Sequence, residues 1–224
     1  MTRATNSRIA GVAFLLYIAA GIASLIVFGK AAAGDGIAAK LAAMAQHVTD
    51  VRVVVVLSLV QCFCALTLAV SLWAITREQD ADLAMMGMIC RVGEGLIGAA
   101  GIPGTLYLLW LATATGADAP DPAAAHAIAQ YVLKGSEVLS ALFFAVGSTI
   151  FSWLLLRGRM IPMWMAWLGV AASVLLVVVL PLQLAGFIAG SALIWLPMLA
   201  FEVPLAFWLM IKGAAAPAER MSPR

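Results

Sequence analysis

The chain has 224 residues, of which 64% are hydrophobic and 11% charged, with a net charge of +2. Soluble domains carry about 25% charged residues, so a water-soluble globule is excluded and an integral membrane protein is expected. The small net charge and the scattered Lys and Arg also exclude a nucleic-acid partner.

Runs of about 20 apolar residues bounded by charge or turn residues predict six membrane-spanning helices. The first covers Ile9 to Gly29. Ala31-Ala32-Ala33 beyond it has the look of a signal-peptide cleavage site, but signal h-regions take only about 7–15 residues, so a retained span is expected. Between Gly36 and Asp50, Ile37, Leu41, Met44 and Val48 recur at helical spacing opposite Lys40, Gln46 and His47. That pattern predicts a short amphipathic helix on the outer membrane surface, a solvated cover in preference to a packed cap.

The second span runs from Val53 to Ile75 and the third from Leu83 to Leu111. Asp118-Ala119-Pro120-Asp121-Pro122 is a stop and restart, after which Ala123 to Lys134 leads helically into a fourth span from Gly135 to Leu156. The fifth runs from Ile161 to Gly186 and the sixth from Gly190 to Ile211, with bends expected at Pro103, Pro181, Pro197 and Pro204. The prediction is an all-α, polytopic helix bundle forming one domain over residues 1–213, followed by a disordered cytoplasmic tail over 214–224. No internal repeat supports a transporter built from inverted halves.

Lys and Arg near the span ends set the orientation. Arg3, Arg8, Arg77, Arg157, Arg159, Lys212, Arg220 and Arg224 fall on one side, against Lys30, Lys40, Arg52 and Lys134 on the other, which predicts both termini inside. Trp73, Trp153, Trp164, Trp167 and Trp208 belong near the inner interface and Trp110 and Trp195 near the outer one, as membrane anchors.

Three ionisable residues interrupt the apolar spans: Arg91 and Glu94 in the third, Glu202 in the sixth. Charges at membrane depth are costly and rare unless they pair, meet water or carry function. Counting inward from Asp82 and Lys212 at 1.5 Å per residue puts Arg91 roughly 14 Å and Glu202 roughly 15 Å deep, at one level. Glu94 lies one turn from Arg91 on the same face, so one arginine could bridge both carboxylates. The trio has one surplus negative charge. A dry core resists it, so one carboxylate, Glu94 or Glu202, is expected to hold a proton near neutral pH. Gly95, Gly98, Gly101 and Gly104, preceded by Gly87 and Gly93, make the third span narrow, which predicts a central helix able to approach its neighbours closely. Pro204 just after Glu202 frees the carbonyl of Ala200.

Weaker polar candidates are Arg52 and Glu137, expected at the outer interface, and Gln61, expected as an interhelical hydrogen-bonding group like Gln183. Cys62 and Cys64 lie about 200° apart around a helix, which suits no shared metal, and with Cys90 they read as small buried hydrophobes. His47 and His126 lie in connections, so an intramembrane haem held by two histidines has no ligands. No metal or cofactor is expected. Gly93-x-Gly95-x-x-Gly98 matches a dinucleotide fingerprint only by letters, inside a hydrophobic span, and no catalytic residue is assigned.

Arg8-Ile9-Ala10-Gly11, Arg91 with Glu94, Leu156-Arg157 leading to Ile161-Pro162 and Leu168-Gly169, and Glu202 followed by Leu205 to Leu209 and Lys212-Gly213 together resemble the DUF4386 family of bacterial six-span membrane proteins. The chain departs from that pattern where Gly158 replaces a frequent serine and Met163 a basic residue. The resemblance implies the six-span topology and a bacterial inner membrane, and assigns no activity.

The expected role is that of a non-enzymatic membrane protein binding or moving a small solute, proton or lipid at the Arg91, Glu94 and Glu202 centre. The alternative is a structural or accessory subunit in which those charges only hold helices together. The partners that follow are the bilayer, a small ligand, and a membrane protein or a second copy of the chain.

Overall fold

The computed structural model describes residues 1–116, 119–134 and 137–217, without the side chains of Lys134 and Glu137. Among these residues every regular element is helical: α1 (Arg3–Ala31), α2 (Ile37–Gln46), α3 (Val48–Thr76), α4 (Ala81–Ala100), α5 (Ile102–Thr113), α6 (Pro122–Lys134), α7 (Glu137–Arg157), α8 (Met163–Leu184) and α9 (Leu196–Ile211). Six helical stretches are long and apolar enough to cross a membrane, with α4 and α5 forming one and α6 and α7 another. The protein is therefore a multi-pass membrane helix bundle.

Local chemistry starts and stops these helices. Thr2 caps α1 by accepting a hydrogen bond from the Thr5 amide at 3.2 Å, and Asp80 caps α4 through the Leu83 amide at 3.2 Å. Asp121 accepts from the amides of Ala123 and Ala124, with Pro122 opening α6 where a missing N–H costs nothing. The α7 terminus turns through Arg159 at φ 49°, and the Met160 amide closes back on the Leu155 carbonyl at 2.9 Å.

The third span breaks at Gly101. Pro103 in the first turn of α5 cannot donate to the ladder, and the Gly101 amide bonds back to Gly98, tightening the last turn of α4. The sixth span begins later than its hydropathy suggests. A 3-10 turn, Ala192–Trp195, precedes α9, and Pro197 falls in the first turn of α9, where its missing N–H costs nothing.

The six spans form a closed ring in the order α1, α3, α4, α7, α8, α9 and back to α1. The glycine-rich third span is thus a member of a ring and not a central helix. Its glycines serve the two neighbours. A Cβ on Gly95 would lie 3.3 Å from Ala65 and from the Cys62 carbonyl of α3, and one on Gly93 would strike Phe143 of α7. Ring closure between α1 and α9 rests on Gly11, where a Cβ would sit 2.5 Å from the Ala206 carbonyl oxygen.

Two apolar clusters divide the core. The larger runs through the ring. The smaller joins Met44 of α2, Leu108 and Leu109 of α5 and Ala129 of α6 to Ala31 and Val51 at the ends of α1 and α3. The face Ile37, Leu41, Met44 is the one used, and Met44 is fully buried, so the amphipathic helix is a packed cap and not a solvated cover. Its apolar stripe finds more area to bury against α5 and α6 than a surface position would give it.

The opposite end gathers both termini. Arg3 pairs with Glu78, Arg157 contacts Asp80 at 3.4 Å, and Ser7 accepts a hydrogen bond from the Ala214 amide at 3.1 Å. Ala215 bonds the Met160 carbonyl at 2.9 Å, so the chain leaving α9 is held against the bundle, and residues 218–224 lie outside the described residues. Trp73, Trp153, Trp164, Trp167 and Trp208 all fall within two turns of helix ends at this side.

Candidate functional site

Arg91, Glu94 and Glu202 are all buried, at 1%, 3% and 5% exposure. No two apolar helices would be expected to hide three ionisable groups so fully unless something in the bundle received them. The ring provides that place. α4 and α9 are not neighbours in it, and their charged side chains occupy its interior from different sides.

Arg91 Nη1 lies 2.9 Å from Glu94 Oε2. Glu94 Oε1 accepts a hydrogen bond of 2.6 Å from the Tyr17 hydroxyl on α1, and its backbone carbonyl accepts one of 2.9 Å from Ser140 on α7. The Arg91 guanidinium stands 4.8 Å from the Phe144 ring centroid and 5.7 Å from that of Tyr17, within cation–π range of both. Phe144 in turn packs 5.9 Å from Trp195, just ahead of α9. The arginine stem fits because position 147 is glycine: a Cβ there would lie 3.1 Å from Arg91 Cγ and 3.2 Å from Cδ.

This enclosure leaves Arg91 poorly satisfied. Its guanidinium can donate five hydrogen bonds. Among the described residues, no group accepts one with good geometry from Nε, Nη1 or Nη2, and Glu94 Oε2 receives none, because the 2.9 Å contact is close but misaligned. Glu202 forms no ion pair among the described residues. Arg91 therefore does not bridge both carboxylates, as its spacing suggested it could. It holds Glu94 and leaves Glu202 alone.

The weaker candidates are dispersed. Arg52 is exposed in the second turn of α3, and the Glu137 side chain lies outside the described residues. Gln61 packs against α1 where Gly21 leaves space, since a Cβ there would stand 2.8 Å from its Nε2. Neither Arg52 nor Gln61 joins the centre. No group of three or more His, Cys, Asp or Glu among the described residues could hold a metal. Two open grooves mark the lipid-facing surface, about 480 Å³ between α1 and α3 and about 360 Å³ between α8 and α9, and neither is lined by the trio.

A family model for a domain of unknown function, DUF4386, matches residues 9–213. The chain belongs to that family. No curated protein and no solved structure matches it. The DUF4386 match reaches into all six spans and covers the whole charged centre, including Tyr17, Phe144 and Gly147.

Proposed function

We propose that this protein binds a small solute that accepts hydrogen bonds at Arg91, inside the ring, and that a proton on the surplus carboxylate is linked to that binding. It works without covalent chemistry. The observation that supports the reading is the mismatch at Arg91: a fully buried guanidinium with one ion-pair partner and no well-aligned acceptor among the described residues. Each unmet buried donor costs about 1–3 kcal/mol, a poor choice for a purely structural lock. Glu202, buried and in no ion pair among the described residues, supplies the titratable group. We place the protein in a bacterial inner membrane with both termini in the cytoplasm, on the excess of Lys and Arg at that end.

A structural or accessory role is the second reading. It draws on the ties that Tyr17, Arg91, Glu94 and Ser140 make between α1, α4 and α7. Infrared spectroscopy in water and deuterium oxide separates the two. The binding reading expects a protonated-carboxyl band near pH 7 that shifts on exchange and is lost in either Glu94→Gln or Glu202→Gln. A centre showing no such band, together with a stable Arg91→Met, Glu94→Gln, Glu202→Gln protein that keeps every ligand-dependent thermal shift, would leave only the structural role.

A further inference from the structure

We infer that the groove between α1 and α3 is a binding site for an anionic phospholipid, with the acyl chain along the groove and the head-group phosphate on Arg8. The groove has a volume of about 480 Å³ and is walled by Val12, Leu16, Val60, Phe63 and Thr67. Its floor is low because Ala13 and Cys64, both buried and small, lie at its base. From Arg8 to Leu16 it extends roughly 12 Å along α1. One leaflet of the hydrocarbon core is about 15 Å deep, so the groove runs from the bundle end to near mid-membrane, the path of a single acyl chain.

Charge selects the head group. Among the described residues Arg8 is the one charged residue lining the groove, and it stands at the end nearest the termini. At the same end Arg3 is paired with Glu78 and Arg157 with Asp80, whereas exposed Arg8 has no carboxylate partner among the described residues. Thr67 already donates its hydroxyl to the Phe63 carbonyl at 2.8 Å, so the wall offers the chain an apolar face. A guanidinium at the head-group level with an apolar trough beneath it matches a phosphate with an acyl chain below. Phosphatidylglycerol, whose phosphate charge is uncompensated, should bind better than phosphatidylcholine, whose ammonium group opposes Arg8.

Native mass spectrometry on the full chain tests this, after reconstitution in equal amounts of phosphatidylglycerol and phosphatidylcholine with identical chains. The expected result is one retained lipid per chain, enriched about five-fold in phosphatidylglycerol. Arg8→Gln should abolish the enrichment, and Val60→Trp, which fills the trough without touching the charge, should reduce retention of both lipids. Equal retention of the two lipids by the natural chain overturns the inference. So does an enrichment that survives both variants, or one lost only in Lys212→Gln, which would move the site to the α8 and α9 groove.

Discussion

The hydroxyl of Tyr17 on α1 donates a 2.6 Å hydrogen bond to the carboxylate of Glu94 on α4, two helices that are not neighbours in the ring. The bond crosses the interior and orients the carboxylate whose other oxygen faces Arg91. Tyr17 thus fixes where the one acid paired with Arg91 can sit, while Glu202 is left free of both.

Tyr17→Phe removes that bond and keeps the ring against the guanidinium. A hydrogen bond to a charged group is worth about 1.5–3 kcal/mol, so unfolding in mixed detergent micelles should show a loss of that order. Carboxylate stretching should shift with it. Unchanged stability and an unchanged spectrum would mean that Glu94 is oriented by Arg91 alone.

Breaking the Arg91 and Glu94 pair from one side should cost more than removing it. Arg91→Met strands Glu94 in the interior and is expected to destabilise by about 3–5 kcal/mol, whereas Arg91→Met with Glu94→Gln should recover most of the loss. A double-mutant cycle measures the coupling. A double variant no better than the single would show that the stem of Arg91, packed against Gly147, matters more than its charge.

The six spans and the charged trio were legible in the sequence because hydropathy and membrane depth are one-dimensional properties, and counting residues from the helix ends recovers both. Arg91 and Glu94 are one turn apart on one helix, so their contact was also readable. Which helices adjoin is a three-dimensional matter. The glycine stripe could be seen, but it receives Cys62, Ala65 and Phe143 of α3 and α7, not Glu202 of α9. Tyr17 was within reach of the same arithmetic: it lies about 21 Å from the start of α1, near the level of Glu94. It was missed because a tyrosine carries no formal charge to draw notice. The cap was misjudged because an amphipathic stripe reads alike whether it meets lipid or α5 and α6.

Glycines at close approaches should respond unequally to alanine. At Gly11 a Cβ would collide with the Ala206 carbonyl at 2.5 Å and approach the Met210 amide nitrogen at 3.0 Å, both backbone atoms that cannot rotate away. Gly11→Ala should push α1 from α9 and cost about 1–3 kcal/mol. Gly29→Ala meets nothing within 4 Å and lies inside α1, so it should be neutral or stabilise by up to about 1 kcal/mol. Thermal unfolding of the two variants compares them directly, and equal effects would argue against the tight α1 and α9 seam.

Met44 tests whether the cap is a unit of its own. It is fully buried in the smaller cluster, where Leu108, Leu109 and Ala129 also lie, and none of these belongs to the larger core around the ring. Met44→Ala removes the centre of the face that α2 presents, a change worth about 2–5 kcal/mol at a well-packed position. Because the two clusters share no buried residue, the loss should be local: faster amide hydrogen exchange in α2, α5 and α6, with α4 and α9 around Arg91 and Glu202 unchanged. Exchange that rises equally in α4 would instead mean that the cap and the charged centre open together, and the cap would then control access to Arg91.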